Sequence, residues 1–492
     1  MKKFIAFATA ALLGLSACSG GGAAAGTDSP GTNGNSAVSS STAPVAFTPL
    51  DELSGEITVY AFESMMAGSF LDEAARMFMY QHPNVVVNVE TFSAMPEIRR
   101  MEGAYGEMRI ATIADDPQSR RDYINMVNTE LMSGRGPDIM AMDILPFHAY
   151  ARNGQLVNLR ELMDADPHFN INDYRVNIFD ALTTDAGQFI FPVDYSFQYV
   201  NFDTSLLPES AVSGDVFHFE ELIELARDAF NNLDESEQVP MFGMLAFPSM
   251  FNGLFAQNFN QFVDLNNNTA HFTYGSFEAL LNDLISFEQD GFFQPRMAMP
   301  EDTGVLMISP DTLEQMMSQR FFYTVLPSIM LSNKFRQDQS EMMVMSGPGG
   351  IAFGGSGNES FEIAGLLGSS FTINHGFGIN SNSTNQLLAW EFLKFLSTYA
   401  MQNIMFSIGF PTHIETFEAR TEFSMANEDR EVIDAYLEAV NHFTSLLDTF
   451  QTTDTIITDI VRTEVGEFFE GSRSAAEVAQ NLQSRITLVL NE

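Results

Sequence analysis

The stretch Thr129-Glu-Leu-Met-Ser-Gly-Arg-Gly-Pro-Asp-Ile-Met-Ala-Met-Asp143 constrains this chain more than any other. Ahead of it, Ile124, Val127 and Leu131 recur at helical spacing, and Asp116-Pro117 supplies a cap followed by a proline suited to the first helical position. The spacing predicts a helix running to about Met132. Gly134 and Gly136 offer a left-handed C-terminal turn, Pro137 blocks continuation, and Asp138 to Met142 is a short apolar run suited to a buried parallel strand. A helix that feeds such a strand through a tight glycine turn predicts α/β architecture. In open α/β sheets ligands bind at the carboxyl ends of the strands, so the loop at Asp143 is the first place to look for a site.

Other stretches agree. Ile57 to Ala61 alternates as a strand, Phe70, Leu71, Ala74, Ala75, Phe78 and Met79 mark a helix face, Pro83 stops it, and Val85 to Phe92 reads as the next strand. That is a βαβ unit, hence a parallel sheet with a right-handed crossover. Residues 93–115 are less regular. Phe219 to Phe230 is an amphipathic helix, followed by a strand from Met241 to Ala246 with Phe247 to Gly253 at its end. Asp264 to Phe272 reads as a hairpin-like turn and strand before a helix from Phe277 to Phe287, and Glu341 to Met345 reads as a return strand leading into the glycine-rich loop Ser346 to Gly357. Trp390 lies within an apolar helix face and is assigned to the core. At the C-terminus one helix carries Ile456, Ile457, Ile460, Val461, Val465 and Phe468 and ends at Gly471, and Ser474-Ala-Ala-Glu477 is a capping box opening a second.

At 492 residues the chain exceeds what one core usually serves, so two lobes are expected. The balance of 64 acidic against 23 basic residues, net −41, repels a phosphate backbone and offers it no basic stripe, which excludes nucleic-acid binding. No GxSxG, HExxH, P-loop or paired-cysteine motif is present, and the eight histidines are scattered without zinc-ligand spacing. The Asp264-x-Asn-x-Asn start of a calcium loop fails, because its sixth position is Thr269 and its twelfth Gly275. No catalytic role, cofactor or metal is therefore assigned, although a carboxylate pair of the glycosidase kind need not be close in sequence.

The N-terminus carries Lys2-Lys3, an apolar run from Phe4 to Leu15 too short for a stable span, and then Leu15-Ser16-Ala17-Cys18, with no other cysteine in the chain. This resembles a bacterial lipoprotein signal over residues 1–17, which implies lipid on Cys18 and residence on the outer face of the cytoplasmic membrane. Residues 18–49 are rich in Gly, Ala, Ser and Thr and read as a flexible tether.

The 129–143 stretch, with its Thr-Glu-Leu-Met-Ser-Gly-Arg-Gly-Pro-Asp-Ile run, resembles the extracellular solute-binding proteins of family 1, the receptors of ABC importers for sugars. Further matches are Phe78 to Val89 with its His82-Pro83-Asn84, the segment Gly187 to Asn201, Phe377-Gly-Ile-Asn380 with Trp390-Glu-Phe-Leu-Lys-Phe-Leu396, Gly409-Phe-Pro411, and the terminal Glu467 to Gln483. The resemblance implies a type II two-lobed periplasmic-binding-protein fold, each lobe a sheet flanked by helices. It assigns 50–193 and 345–411 to the first lobe and 194–344 and 412–492 to the second, with hinge strands near Pro192 to Asn201 and Glu341 to Gly347. It also implies a monomeric binding protein, not an enzyme, whose partners are a sugar, the permease subunits and the membrane. A sugar needs carboxylate or amide acceptors for its hydroxyls and flat rings for its C–H faces. The expected acceptors are Glu63, Asp143 and Asp194, and the expected stacking rings are Phe62, Tyr195, Phe251 and Phe353. Aromatics at alternate positions of a strand, as at Tyr195, Phe197 and Tyr199, equally suit a core. Met142 and Leu145 stand where sugar receptors carry an aromatic and an acid, and the chain has one tryptophan, so a cationic or peptide solute stays open, as do a surface hydrolase and an adhesive lipoprotein.

Overall fold

The computed structural model describes residues 47–491 apart from 48, 50–51, 63–66, 93–107, 112–116, 204–205, 207–214, 235–237, 240, 244–246, 266, 293–304, 309–321, 328–330, 333–342, 348–349, 355–360, 404–408 and 452–453. The leader, Cys18 and the tether lie outside the described residues. Among those described, no helix is long and apolar enough to cross a membrane.

The N-terminal βαβ unit forms as its pattern predicts. Strand Gly55–Phe62 pairs in parallel with Val85–Phe92 around helix Ala67–Gln81, and strand Ile139–Ala141 adds in parallel on the other side. Strand alternation sends the two faces of Gly55–Phe62 to different cores. Ile57, Val59 and Ala61 pack with Phe70, Phe78 and Trp390. Phe62 packs on the opposite face with Val127, Leu131 and Met142.

The helix–turn–strand stretch is built as read. Helix Pro117–Met132 ends in Gly134 and Gly136 at φ 70° and 112°, conformations in which a Cβ is strained. Asp138 then joins three segments. Its backbone N–H donates to Thr58 O (2.9 Å), its carboxylate accepts from Thr58 N–H (2.8 Å) and the Ser383 hydroxyl, and its carbonyl accepts from Asn380 N–H (2.9 Å). The motif's Pro-Asp-Ile is therefore a clasp that registers Ile139–Ala141 between its two neighbours.

The centre of the molecule is a strand pair. Phe191–Asp203 runs antiparallel to Phe361–Ile379 along its whole length, with several register shifts. One end, Phe191 and Val193, lies in the core of the N-terminal sheet. The middle, Tyr195, Phe197 and Tyr199, packs with helices Ile414–Ser424 and Arg430–Ser445. The far end, Val200 and Phe202, lies in a separate core made by helices Phe219–Asn232, Phe247–Gln257, Ser276–Gln289, Thr455–Phe469 and Ala475–Leu490. One strand pair thus threads two lobes. The sheet continues through Tyr323–Pro327, antiparallel to Phe191–Asp203, to Phe242–Gly243.

One expectation is corrected, and two stretches the sequence left without an element gain one. Met343–Gly347, within the expected return strand, pairs instead with Gly350–Gly354 in a hairpin of its own, and the return crossing is Phe361–Ile379. Phe247 to Gly253, placed only at a strand's end by the sequence, begins helix Phe247–Gln257, in which Phe251, Leu254 and Phe255 enter the core. The irregular 93–115 segment contributes Met108–Ala111, which pairs antiparallel with Val305–Ile308. The two C-terminal helices match their reading, with Ser474 and Glu477 forming the capping box and Gly471 at φ 76°.

Candidate functional site

Asp143 sits one residue beyond the strand Ile139–Ala141 and Met142, whose N–H donates to Gly376 O at 2.8 Å on the return strand. Its side chain is exposed, yet protein surrounds it. Crowding pushes its carboxyl up to about 6, against the opposing pull of its own N–H, His375 and the N–H of Ile144. Tyr123 stands close enough for the Asp143 charge to raise its phenol further, after burial. The Tyr123 hydroxyl is buried and has no hydrogen-bond partner among the described residues. Tyr150, from helix Phe147–Arg152, donates to Asn128 Oδ1 at 2.7 Å and feels Asp454, the N-cap of helix Thr455–Phe469 in the other lobe. Burial and the Arg152 charge push His148 down to about 4, so it is neutral.

Beneath Asp143 lies a buried ion pair. His375 donates its backbone N–H (2.9 Å) to Asp194 Oδ1, its Nδ1 lies 2.9 Å from Asp194 Oδ2, and its ring lies tilted against Phe70 with centroids 5.3 Å apart. Burial alone would lower the imidazole's pKa, but the charge and hydrogen bond of Asp194, with Asp143 adding to them, raise it above the ordinary value. The sign follows by linkage. A raised folded-state value means this pair stabilises the fold in full below about pH 6.5, the ordinary histidine value, and less as pH rises through the higher folded value. His375→Gln is accordingly expected to lose more stability at about pH 6 than at about pH 9. Urea midpoints at the two pH values would show this, and equal losses at both would remove the charged pair from the account.

The expected site residues divide sharply. Among the expected residues whose side chains the structure describes, Asp143 alone is exposed. Asp194 is fully buried and is occupied by His375, so it orders the crossing strands and is no free acceptor. Tyr195 is also fully buried, its hydroxyl 2.6 Å from Thr444 Oγ1, and it has no ring face free for stacking. Phe251 is enclosed by Phe255, Phe277 and Phe469 in the second-lobe core. Phe62 is buried too, its ring 5.5 Å from that of Tyr123. In each case alternation or helical period pointed inward, and the core interpretation of these rings holds. Phe353 occupies the register position opposite Val344 in its hairpin, and Glu63 lies outside the described residues. Sequence reasoning missed Tyr123, Tyr150, His375 and Arg120. Arg120 had a signal, because it extends the Ile124, Val127, Leu131 stripe at helical spacing and so brings a charge onto the buried face. No group of three or more His, Cys, Asp or Glu among the described residues could hold a metal ion.

No family model matches this sequence, and no curated protein matches it. Solved structures do. An extracellular solute-binding protein family 1 member from Alicyclobacillus acidocaldarius is 15% identical, covering 89% of this chain and 99% of its own, at a TM-score of 0.52. The sugar-binding protein MalE from Xanthomonas citri is 14% identical over 89% and 98%, at 0.53. The fold is that of the extracellular solute-binding proteins. A periplasmic solute-binding protein from Pectobacterium atrosepticum, 11% identical over 89% and 98% at 0.50, has it as well. In this solute-binding fold the strand pair Phe191–Asp203 and Phe361–Ile379 passes from the core of the N-terminal sheet to the core of the second lobe.

Proposed function

We propose that this chain is the substrate-binding lipoprotein of an ABC importer, anchored through Cys18, that captures a carbohydrate between its lobes and delivers it to the membrane permease. The observation that carries the proposal is the solvent-exposed carboxylate of Asp143 at the carboxyl end of a parallel strand, in a solute-binding fold. An uncharged polyol suits this carboxylate, because its hydroxyls donate to Asp143. Lobe boundaries near residues 193 and 411, a monomeric state and the lack of catalysis belong to the same reading. Closure of the lobes on the sugar then makes the surface that the permease recognises.

Calorimetric titration of the full chain with maltotriose, a panel of monosaccharides, spermidine and a short peptide tests this. Binding of one sugar class is expected, with Asp143→Asn weakening it by about 10- to 100-fold, the worth of a hydrogen bond to a charged group. Binding of spermidine alone would replace the sugar by a cationic solute, which the acidic surroundings of the site would suit, and would overturn the carbohydrate assignment. Sugar binding that ignores Asp143→Asn would move the site elsewhere.

A further inference from the structure

Two arginines of the first lobe reach across to the second. Arg120, near the start of helix Pro117–Met132, places Nη2 2.9 Å and 3.0 Å from the two carboxylate oxygens of Asp459 on helix Thr455–Phe469, 339 residues away in sequence. The helices belong to different cores, the first packing through Ile124, Val127 and Leu131 and the second through Ile457, Val461 and Val465. Arg152, at the end of helix Phe147–Arg152, donates to the carbonyl of Leu265 in the second-lobe hairpin. The Arg120 and Asp459 side chains are only 10% and 14% exposed, and Arg462, one turn along the same helix, lies 3.4 Å from Asp459.

We propose that Arg120 and Asp459 form a latch that exists only when the lobes are closed and that sets the balance between open and closed states. Opening would return both charges to water. Closing takes them largely out of it, and the pair is then screened little and hydrogen-bonded on both carboxylate oxygens. Removing either partner takes away the ion pair that joins these two helices, and removing Arg120 leaves Asp459 with the longer contact to Arg462 on its own helix, so the loss falls on the closed state and shifts the population. The proposal rests on the two lobes of the fold and not on the identity of the solute.

The test needs no solute. The full chain is made with Cys18→Ser, and spin labels are attached at Met132→Cys and Tyr274→Cys, positions 82% and 77% exposed on the two lobes. Pulsed dipolar spectroscopy then reads the interlobe distance. Arg120→Met is expected to lower the closed-to-open ratio about tenfold, within the usual range of coupling energies. Asp459→Asn should do the same, and the swap Arg120→Asp with Asp459→Arg should restore the parent distribution. Unchanged far-ultraviolet circular dichroism in each variant confirms that both lobes are folded, and unchanged emission from Trp390 that the first-lobe core is intact. A parental distance distribution in both single variants overturns the latch, and so does a swap that stays as open as the singles.

Discussion

Asp166→Ala is expected to destabilise the protein by about 3 kcal/mol, the scale of a buried ion pair broken on one side. Asp166 caps helix Leu159–Ala165 with its side chain fully enclosed. It accepts from Trp390 Nε1 at 2.9 Å, from the backbone N–H of His168 at 2.9 Å and from Lys394 Nζ, which also meets Glu391 at 2.8 Å. Burial opposes its charge, but the bonds from Lys394, His168 and Trp390 outweigh it and hold the carboxyl below the usual carboxylate range. Truncation leaves a buried indole N–H unmatched and Lys394 with Glu391 alone. Because the folded-state value is depressed, this stabilisation is present above about pH 4 and fades as pH falls through the lower folded value. The deficit of Asp166→Ala should therefore be full at neutral pH and shrink in acid. Urea unfolding followed through Trp390, the sole tryptophan and fully buried, measures it. A loss below about 1 kcal/mol at neutral pH would mean the cluster is no more than an exposed ion pair in worth.

Gly409→Ala is expected to cost about 2–3 kcal/mol, the upper part of the range for an overpacked core. A Cβ there would lie 2.8 Å from the Tyr195 carbonyl oxygen, 3.0 Å from Asp194 Cγ and 2.3 Å from Asn374 Nδ2. The amide end of Asn374 can turn aside, but the strand backbone at Tyr195 cannot, and moving it would disturb the Asp194–His375 pair. Gly253→Ala is the matched comparison. Nothing lies within 4 Å of its Cβ, and it sits inside helix Phe247–Gln257, so alanine should stabilise by roughly 0.5–1 kcal/mol. The two urea midpoints should move in opposite directions, and a neutral Gly409→Ala would show that the contact at Tyr195 relaxes freely.

Much of this fold was legible locally. The turn at Gly134 and Gly136, the proline that begins helix Pro117–Met132 and the capping box at Ser474 all depend on neighbours within a few residues. Short-range steric and hydrogen-bonding rules decide such features before any tertiary contact forms. The place of Trp390 in the core followed from the same helical period.

The candidate site was legible at one position. Asp143 could be found because the end of a parallel strand is a topological statement that a sequence pattern carries. The rings at Phe62, Tyr195 and Phe251 could not be sorted, since a ring that stacks on a ligand and a ring that fills a core have the same periodicity. Only the burial supplied by segments far along the chain, such as Thr444 against Tyr195 and Phe469 against Phe251, separates the two roles.

By itself, then, the sequence determined the α/β class, the local elements and the strand end that carries Asp143, because these rest on period, caps and turns. The tertiary structure alone decided which strand makes the return crossing, that His375 closes on Asp194, and that Arg120 meets Asp459 across the lobes. Each of those joins residues more than 150 positions apart. Neither partner's local pattern names the other, and only the packing of two separate cores on one strand pair brings them within hydrogen-bonding distance.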